Sequence, residues 1–514
     1  MSASKPEKSV GVRIERSLNE NEEEFVARRR IAVLQSLNKL KINFSQDEVP
    51  NIALLGSGGG QRAMVGLLGS LVQLQKTGLL DCILYLSGVS GSTWCMASLY
   101  QDPNWSTELE TVKDKIIQRL SSSEVSWTDA FAKLKKYYDE KDEKIFSLTD
   151  VFAAMVVTTY VKEIDERTLT DQWDQQSKDP FPIYMAIDKH FKQNNDGDPW
   201  FEFTPHEAGY SLTGAFVETS SFGSKFENGC KIKNQPEIDM LYLQALCCSV
   251  LADGDENKKF LLEQIKDPTS LSEDECYKVL MDLVDMNLSV LNGNDPSALD
   301  ESIRTQLNKL NGGKRQMVQA KKLNLTDKKA AKHIFKCLAN WIWGRNYNFL
   351  HNMKDKAVPS TLLESETRDY QDAGLLVNSP YFSVLRKERD IDLIISLDFS
   401  EADPFKTVKK AAELCKELNI PFPEVNIPSE DVKKPKDFYV FKGQNTPTVI
   451  HIPLFNVVNC GDKIEEWRKK YSTSKWPHSD IQMITDLMEV AGKNISNNKD
   501  NLLEQIHLAI KIHK

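Results

Sequence analysis

The chain has 514 residues, of which 40% are apolar and 27% charged, and a net charge of −9. This is the balance of a folded globular protein with room for two or three average domains or one large α/β enzyme, and it excludes a disordered chain. The negative charge argues against nucleic acid as a partner. The lack of a long uninterrupted apolar run argues against a membrane span, and the polar start "MSASKPEKSV" against a signal peptide, so a cytoplasmic protein is expected.

Residues 1–20 are polar and read as a loose segment. Residues 19–40 open with acids, continue with bases and repeat apolar side chains at Val26, Ile31, Val33, Leu34 and Leu37, which predicts an amphipathic helix. "VPNIALLGSGGG" reads as a buried strand entering a glycine turn, and residues 61–80 as the helix after it. Residues 81–90, "DCILYLSGVS", predict a second apolar strand, and 91–100 a second helix. Strand, glycine turn, helix, strand, serine turn, helix is the order of a parallel α/β sheet. From about 229 to 371 that order gives way to a mainly helical stretch, acidic at 253–259 and lysine-rich from Lys309 to Lys332. Sheet-like runs return at 390–400 and 446–455, separated by a helical 405–420. The expected fold is therefore α/β: a central, mostly parallel sheet flanked by helices, with a helical cap inserted at about 229–371.

The nine cysteines lack paired metal-ligand spacing, and the adjacent Cys247 and Cys248 sit in an apolar run that suits a core helix. The histidines form no ligand cluster, so neither a metal nor a cofactor is expected. In "GSGGGQ" Gln61 stands where a dinucleotide fingerprint needs its last glycine, and no Gly-Lys-Ser/Thr follows. What remains is a run of backbone N–H groups at a helix start, a cradle for an oxyanion or a phosphate. Ser90 follows a strand, precedes a helix and is flanked by Gly88 and Gly91, the setting of a nucleophile elbow; a turn or N-cap serine is the plainer reading. A nucleophile needs a base. His206 and His451 stand in ordered but uninformative contexts, whereas Asp372 lies in an Asp-Ala-Gly turn just before another sheet-like segment.

In this order "GSGGGQRAM" (56–64), "GVSGSTW" (88–94) and "DAGLLVNSP" (372–380) resemble the active-site motifs of the cytosolic (group IV) phospholipase A2 family, relatives of patatin. Segments at 147–157, 200–210, 215–229, 341–350, 392–400, 420–425 and 446–456 extend the resemblance over nearly all the chain beyond residue 30. It implies a catalytic domain over 21–514, with Ser90 as nucleophile and Asp372 as its base, a dyad without histidine. It places the oxyanion glycines at Gly59 and Gly60 in a loop begun by Gly58, and a phosphate-binding arginine at Arg62. Arg389 falls where the family has another functional arginine, although a solvated charge in "RKERD" is an equal reading.

The implied substrates are glycerophospholipids and lysophospholipids, with transfer of the acyl group to another lipid as a variant, and the implied partner is a membrane surface bound peripherally. Only about thirty residues precede the motif core, so a calcium-binding C2 module is not expected and hydrolysis should be calcium-independent. Membrane contact would rest on the cleft rim or on the segment from Lys309 to Lys332. Two other readings stand beside this one: a Ser-His-Asp hydrolase of neutral esters or thioesters, and a catalytically silent lipid-binding protein.

Overall fold

A computed structural model of the protein describes residues 11–194, 197–249, 330, 333, 334, 336, 337, 340–472 and 479–509. The acidic 253–259 stretch and the lysine-rich segment lie outside the described residues.

The centre of the fold is five parallel strands: β2 (Ile52–Gly56), β3 (Tyr85–Val89), β4 (Phe181–Asp188), β12 (Leu393–Asp398) and β14 (Thr448–Pro453), in the order β4-β3-β2-β12-β14. Every residue of β2, β3 and β4 is buried, which explains their near-continuous apolar sequences: a strand covered on both faces has no polar alternation. Two antiparallel wings extend this centre. Beyond β4 lie β5 (Trp200–Phe203), β6 (Glu207–Tyr210), β7 (Ala215–Glu218) and, at the edge, β1 (Val12–Ile14). Beyond β14 lies β13 (Tyr439–Phe441).

The short strand β1 corrects one expectation. Within the segment read as loose, residues 12–14 pair with β7, and Arg13 forms an ion pair with the buried Glu207. A second correction concerns the inserted stretch. It is not wholly helical: at its start β8 (Lys225–Glu227) pairs with β9 (Cys230–Lys233), and at its end, beside the short helix Ser360–Leu363, β10 (Arg345–Tyr347) pairs with β11 (Thr367–Asp372), which joins the main sheet against β4.

The first helix, α1 (Glu20–Lys39), is capped by Asn19, whose side chain accepts the Asn21 N–H, and carries Glu20, Glu22 and Glu23 in its first turn. Its inward face is Phe25, Arg29, Val33 and Leu37 at four-residue spacing, while Ile31, expected to be apolar contact, is 47% exposed. Arg29 explains the shift: its guanidinium is buried and donates to the Ile83 carbonyl at 2.7 Å. Helices α2 (Gly60–Lys76) and α3 (Gly91–Leu99) follow β2 and β3 as anticipated, and residues 80–82 form a 3₁₀ turn rather than strand. α2 packs so closely on helix Ile481–Ser496 that a Cβ on Gly69 would lie 2.4 Å from the Met488 carbonyl oxygen. Apolar clusters cover both faces of the sheet, one around α2 and α3 and the other around Phe25 and helix Lys406–Glu417.

Candidate active site

Four turns leave the carboxyl ends of β2, β3, β12 and β14 on one edge of the sheet, the edge where open α/β sheets place their ligands. Ser90 occupies the turn after β3 at φ 53°, ψ −123°, a backbone conformation that costs about 1–3 kcal/mol outside glycine and persists only where its surroundings hold it. Those surroundings exclude side chains. A Cβ on Gly91 would lie 1.9 Å from the Gly60 carbonyl oxygen, so the starts of α2 and α3 touch beside Ser90. Ser92, standing where an elbow motif has its last glycine, donates to the Ser57 carbonyl at 2.6 Å and ties the serine turn to the glycine turn.

Asp372 arrives from the opposite direction. Tyr184 and Met185 of β4 pair with both β3 and β5, and Ala186 and Ile187 pair with both β5 and β11, so β3 and β11 lie along the same side of β4. β3 runs parallel to β4 and ends with Val89 opposite Met185; β11 runs antiparallel and ends with Asp372 opposite Ala186. The two strands meet head-on at consecutive residues of β4, with Ser90 and Asp372 at the junction. The Asp372 side chain is buried, and its Oδ1 accepts the Gly374 N–H at 2.7 Å.

The glycine turn closes over this junction. Gly58 donates its N–H to the Asn378 carbonyl (3.1 Å) and receives the Asn378 side-chain amide on its own carbonyl (3.3 Å). Gly59 and Gly60 have φ 147° and 56° and begin α2, where a first helical turn supplies no carbonyl for their N–H groups. Asn378 was not singled out from the sequence. A Cβ on Gly58 would meet its Oδ1 at 2.2 Å and Ser90 Cβ at 2.9 Å, and one on Gly374 would meet the same Oδ1 at 2.8 Å. Its side chain therefore sits between the serine loop and the aspartate turn.

Cys248 was also missed, having been read only as part of a core helix. That helix, Met240–Cys247, is present, and its C-cap Cys248 places Sγ 3.0 Å from Ser90 Oγ. Burial, and then the Asp372 charge, push the Cys248 thiol well above its ordinary range, so it remains a neutral S–H beside the serine. Adjacent cysteines in an apolar run give no signal of such a contact.

Arg62 is buried. Its Nε donates to the Phe399 carbonyl (2.7 Å) and Nη1 to that of Tyr471 (2.9 Å), with the Glu401 carboxylate at 3.7 Å. Desolvation lowers the guanidinium to about 10, against the raising effect of Glu401 and Asp398. The side chain lies against the glycine turn: a Cβ on Gly59 would be 2.9 Å from Nη2. Arg389 is not a solvated charge, being 2% exposed. Its five N–H groups meet both carboxylate oxygens of Glu22, both of Glu202 and the Ser383 carbonyl, which leaves no donor for a phosphate. Burial opposes this charge, but the Glu202 and Glu22 carboxylates outweigh it and hold Arg389 well above its ordinary value.

The two histidines weighed as bases are elsewhere. His206 sits in the β5–β6 turn and stacks on Phe181 at the opposite end of β4, and His451 is engaged by Ser396 and the Pro404 carbonyl. Burial lowers both below their ordinary range, Glu22 opposing it for His206 and chiefly Asp398 for His451. Among the described residues no cluster of three or more His, Cys, Asp or Glu could hold a metal ion.

Residues 52–357 match the lysophospholipase catalytic domain family. The chain is 34% identical to mouse cytosolic phospholipase A2 gamma, covering 97% of this chain and 93% of that protein, and 33% identical to the human counterpart, covering 95% and 94%. The solved structure of human GIVD cytosolic phospholipase A2 superposes with a TM-score of 0.73 over 98% of this chain and 68% of that one, at 22% identity.

Proposed function

The chain belongs to the cytosolic phospholipase A2 family and is a lipid acyl hydrolase, and on that premise we propose a mechanism in which Ser90 and Asp372 act as a dyad on the acyl esters of glycerophospholipids and lysophospholipids. The observation that carries this reading is the head-on meeting of β3 and β11 along β4. Asp372 takes the hydroxyl proton as Ser90 Oγ bonds to the acyl carbon, and the N–H groups of Gly59 and Gly60 stabilise the oxyanion. Collapse of that intermediate breaks the ester C–O bond; the leaving alcohol takes the proton from Asp372, and the acyl group stays on Ser90. Water, deprotonated by Asp372, then attacks the acyl-enzyme; the bond from the acyl carbon to Ser90 Oγ breaks, Asp372 returns its proton to Oγ, and the fatty acid is released. A lipid hydroxyl in place of that water gives acyl transfer.

Arg62 steadies the glycine turn in this scheme. Cys248, as an S–H donor, orients Ser90 Oγ. No step requires a metal, so calcium-independent hydrolysis is part of the proposal, as are a cytoplasmic location and peripheral contact with membranes. Among the described residues no helix is long and apolar enough to cross a membrane.

Ser90→Ala and Asp372→Ala should each lower hydrolysis of mixed-chain phosphatidylcholine and of lysophosphatidylcholine by at least about 10⁴-fold, and the double variant no further, because the two groups act as a unit. Fluorophosphonate labelling of the wild type, blocked in Ser90→Ala and unaffected by a calcium chelator, completes the test. A single histidine substitution that abolished labelling would overturn the dyad.

A further inference from the structure

We propose that the turn after β14 and the lysine-bearing segment beside it form a docking lip for an anionic phospholipid bilayer. The proposal rests on the reading of phospholipids as substrates, and it commits to a surface that reading does not specify. β14 runs parallel to β3, so its carboxyl end emerges on the same sheet edge as Ser90. β13 is antiparallel to β14, with Tyr439 opposite His451, so residues 433–437, which lead into β13, lie at that edge too. The lip is three strands from β3, on the order of 15 Å at ordinary strand spacing.

At its tip Val457 and Val458 are 38% and 53% exposed, an adjacent pair of large apolar side chains turned to solvent. The turn beneath them is built on the buried Asn456 and the half-buried Asn459. Asn456 Oδ1 accepts the N–H groups of Val458 (3.1 Å) and Asn459 (3.0 Å), and its Nδ2 donates to the Pro453 carbonyl (3.0 Å) and to Asn494 Oδ1 (2.7 Å). Asn459 in turn donates to the Leu454 carbonyl and accepts the Asn456 N–H. With its polar groups satisfied from within, this backbone holds the valines outward instead of letting them fold onto the protein, so little order is lost when they enter a bilayer.

The Val457 N–H donates to the Pro435 carbonyl at 2.9 Å, which fixes the lysine segment against the tip. Lys433, Lys434 and Lys436 are exposed and form no ion pair with the described residues. Of the three acids in 430–437, Asp431 is buried and accepts the Tyr439 hydroxyl (2.6 Å), the half-buried Asp437 accepts the Asn498 amide (2.8 Å), and Glu430 is exposed, against three exposed lysines. The acids that follow the turn, Asp462, Glu465 and Glu466, are balanced by Lys463, Arg468, Lys469 and Lys470. The outward charge beside the valines is therefore positive on a protein whose net charge is −9, and a paired apolar tip with a basic flank matches an interface of acyl chains under anionic headgroups.

The test uses the full chain and vesicles of phosphatidylcholine with and without phosphatidylserine. A K433Q/K434Q/K436Q variant should bind the anionic vesicles at least tenfold more weakly and lose most of its salt dependence. Val457→Ser with Val458→Ser should weaken binding to both vesicle types. Fluorophosphonate labelling of Ser90 in buffer should stay at the wild-type rate in each, because neither change touches the dyad. In a Val458→Trp variant, anionic vesicles should shift the tryptophan emission to shorter wavelength. Wild-type binding by both loss variants, or no emission shift, overturns the lip. Intact vesicle binding in a protein whose Ser90 cannot be labelled would instead sink the dyad and leave the lip standing.

Discussion

Asn378 and Arg62 act on one loop from two sides. The first brackets Gly58 with two hydrogen bonds and the second lies against Gly59 while holding the carbonyls of Phe399 and Tyr471. Asn378→Ala and Arg62→Ala should each slow Ser90 labelling and lower turnover by about 100-fold, the scale of a displaced oxyanion donor. The loss should be similar on a phospholipid and on a neutral ester, compared as kcat/KM. A loss confined to phospholipid in Arg62→Ala would instead establish the phosphate contact that the family resemblance implies. At this scale the sequence was uneven. Ser90 and Asp372 stood out because each sits in a local motif whose glycines announce a sharp turn. Asn378 lies inside a quoted motif and Cys248 in an apolar run, but what matters about both is a neighbour from elsewhere in the chain, which no local pattern encodes.

Among the elements, four of the five central strands, all but β4, were legible because strands buried on both faces are written as apolar runs followed by helical periodicity. The β4–β7 wing was not predicted. "WFEF" in β5 carries Glu202 inside the sheet, and this buried charge exists only because Arg386 and Arg389 meet it from nearly two hundred positions away. The Arg389 guanidinium also takes Glu22 of α1, so one side chain joins α1, the antiparallel wing and the segment before β12. Arg389→Met would leave the Glu22 carboxylate buried without its counter-charge and Glu202 with Arg386 alone. It should destabilise the protein by about 3–5 kcal/mol, the cost of breaking a buried pair. Urea unfolding should show the loss, and Arg389→Lys should recover only part of it, since a point charge cannot bridge both carboxylates through five donors.

For the whole molecule, the head-on junction on β4 means that the site is assembled from both ends of the described chain. Asn378 reaches Gly58 across 320 positions, and Arg62 reaches Tyr471 across 409. Closing loops of that length costs entropy before any native contact offsets it, and such long-range contacts form slowly. Reactivity at Ser90 should therefore be among the last properties to return when the denatured protein is diluted into buffer. Far-ultraviolet circular dichroism should recover first, as α1, α2 and α3 form from local sequence, and fluorophosphonate labelling should follow with a measurable lag. Simultaneous recovery of both signals would mean that β11 docks on β4 as early as the helices form. A lag would make chemical competence a timer for folding: a partly folded chain could acquire its helices and its sheet while its nucleophile stays unable to cleave lipid.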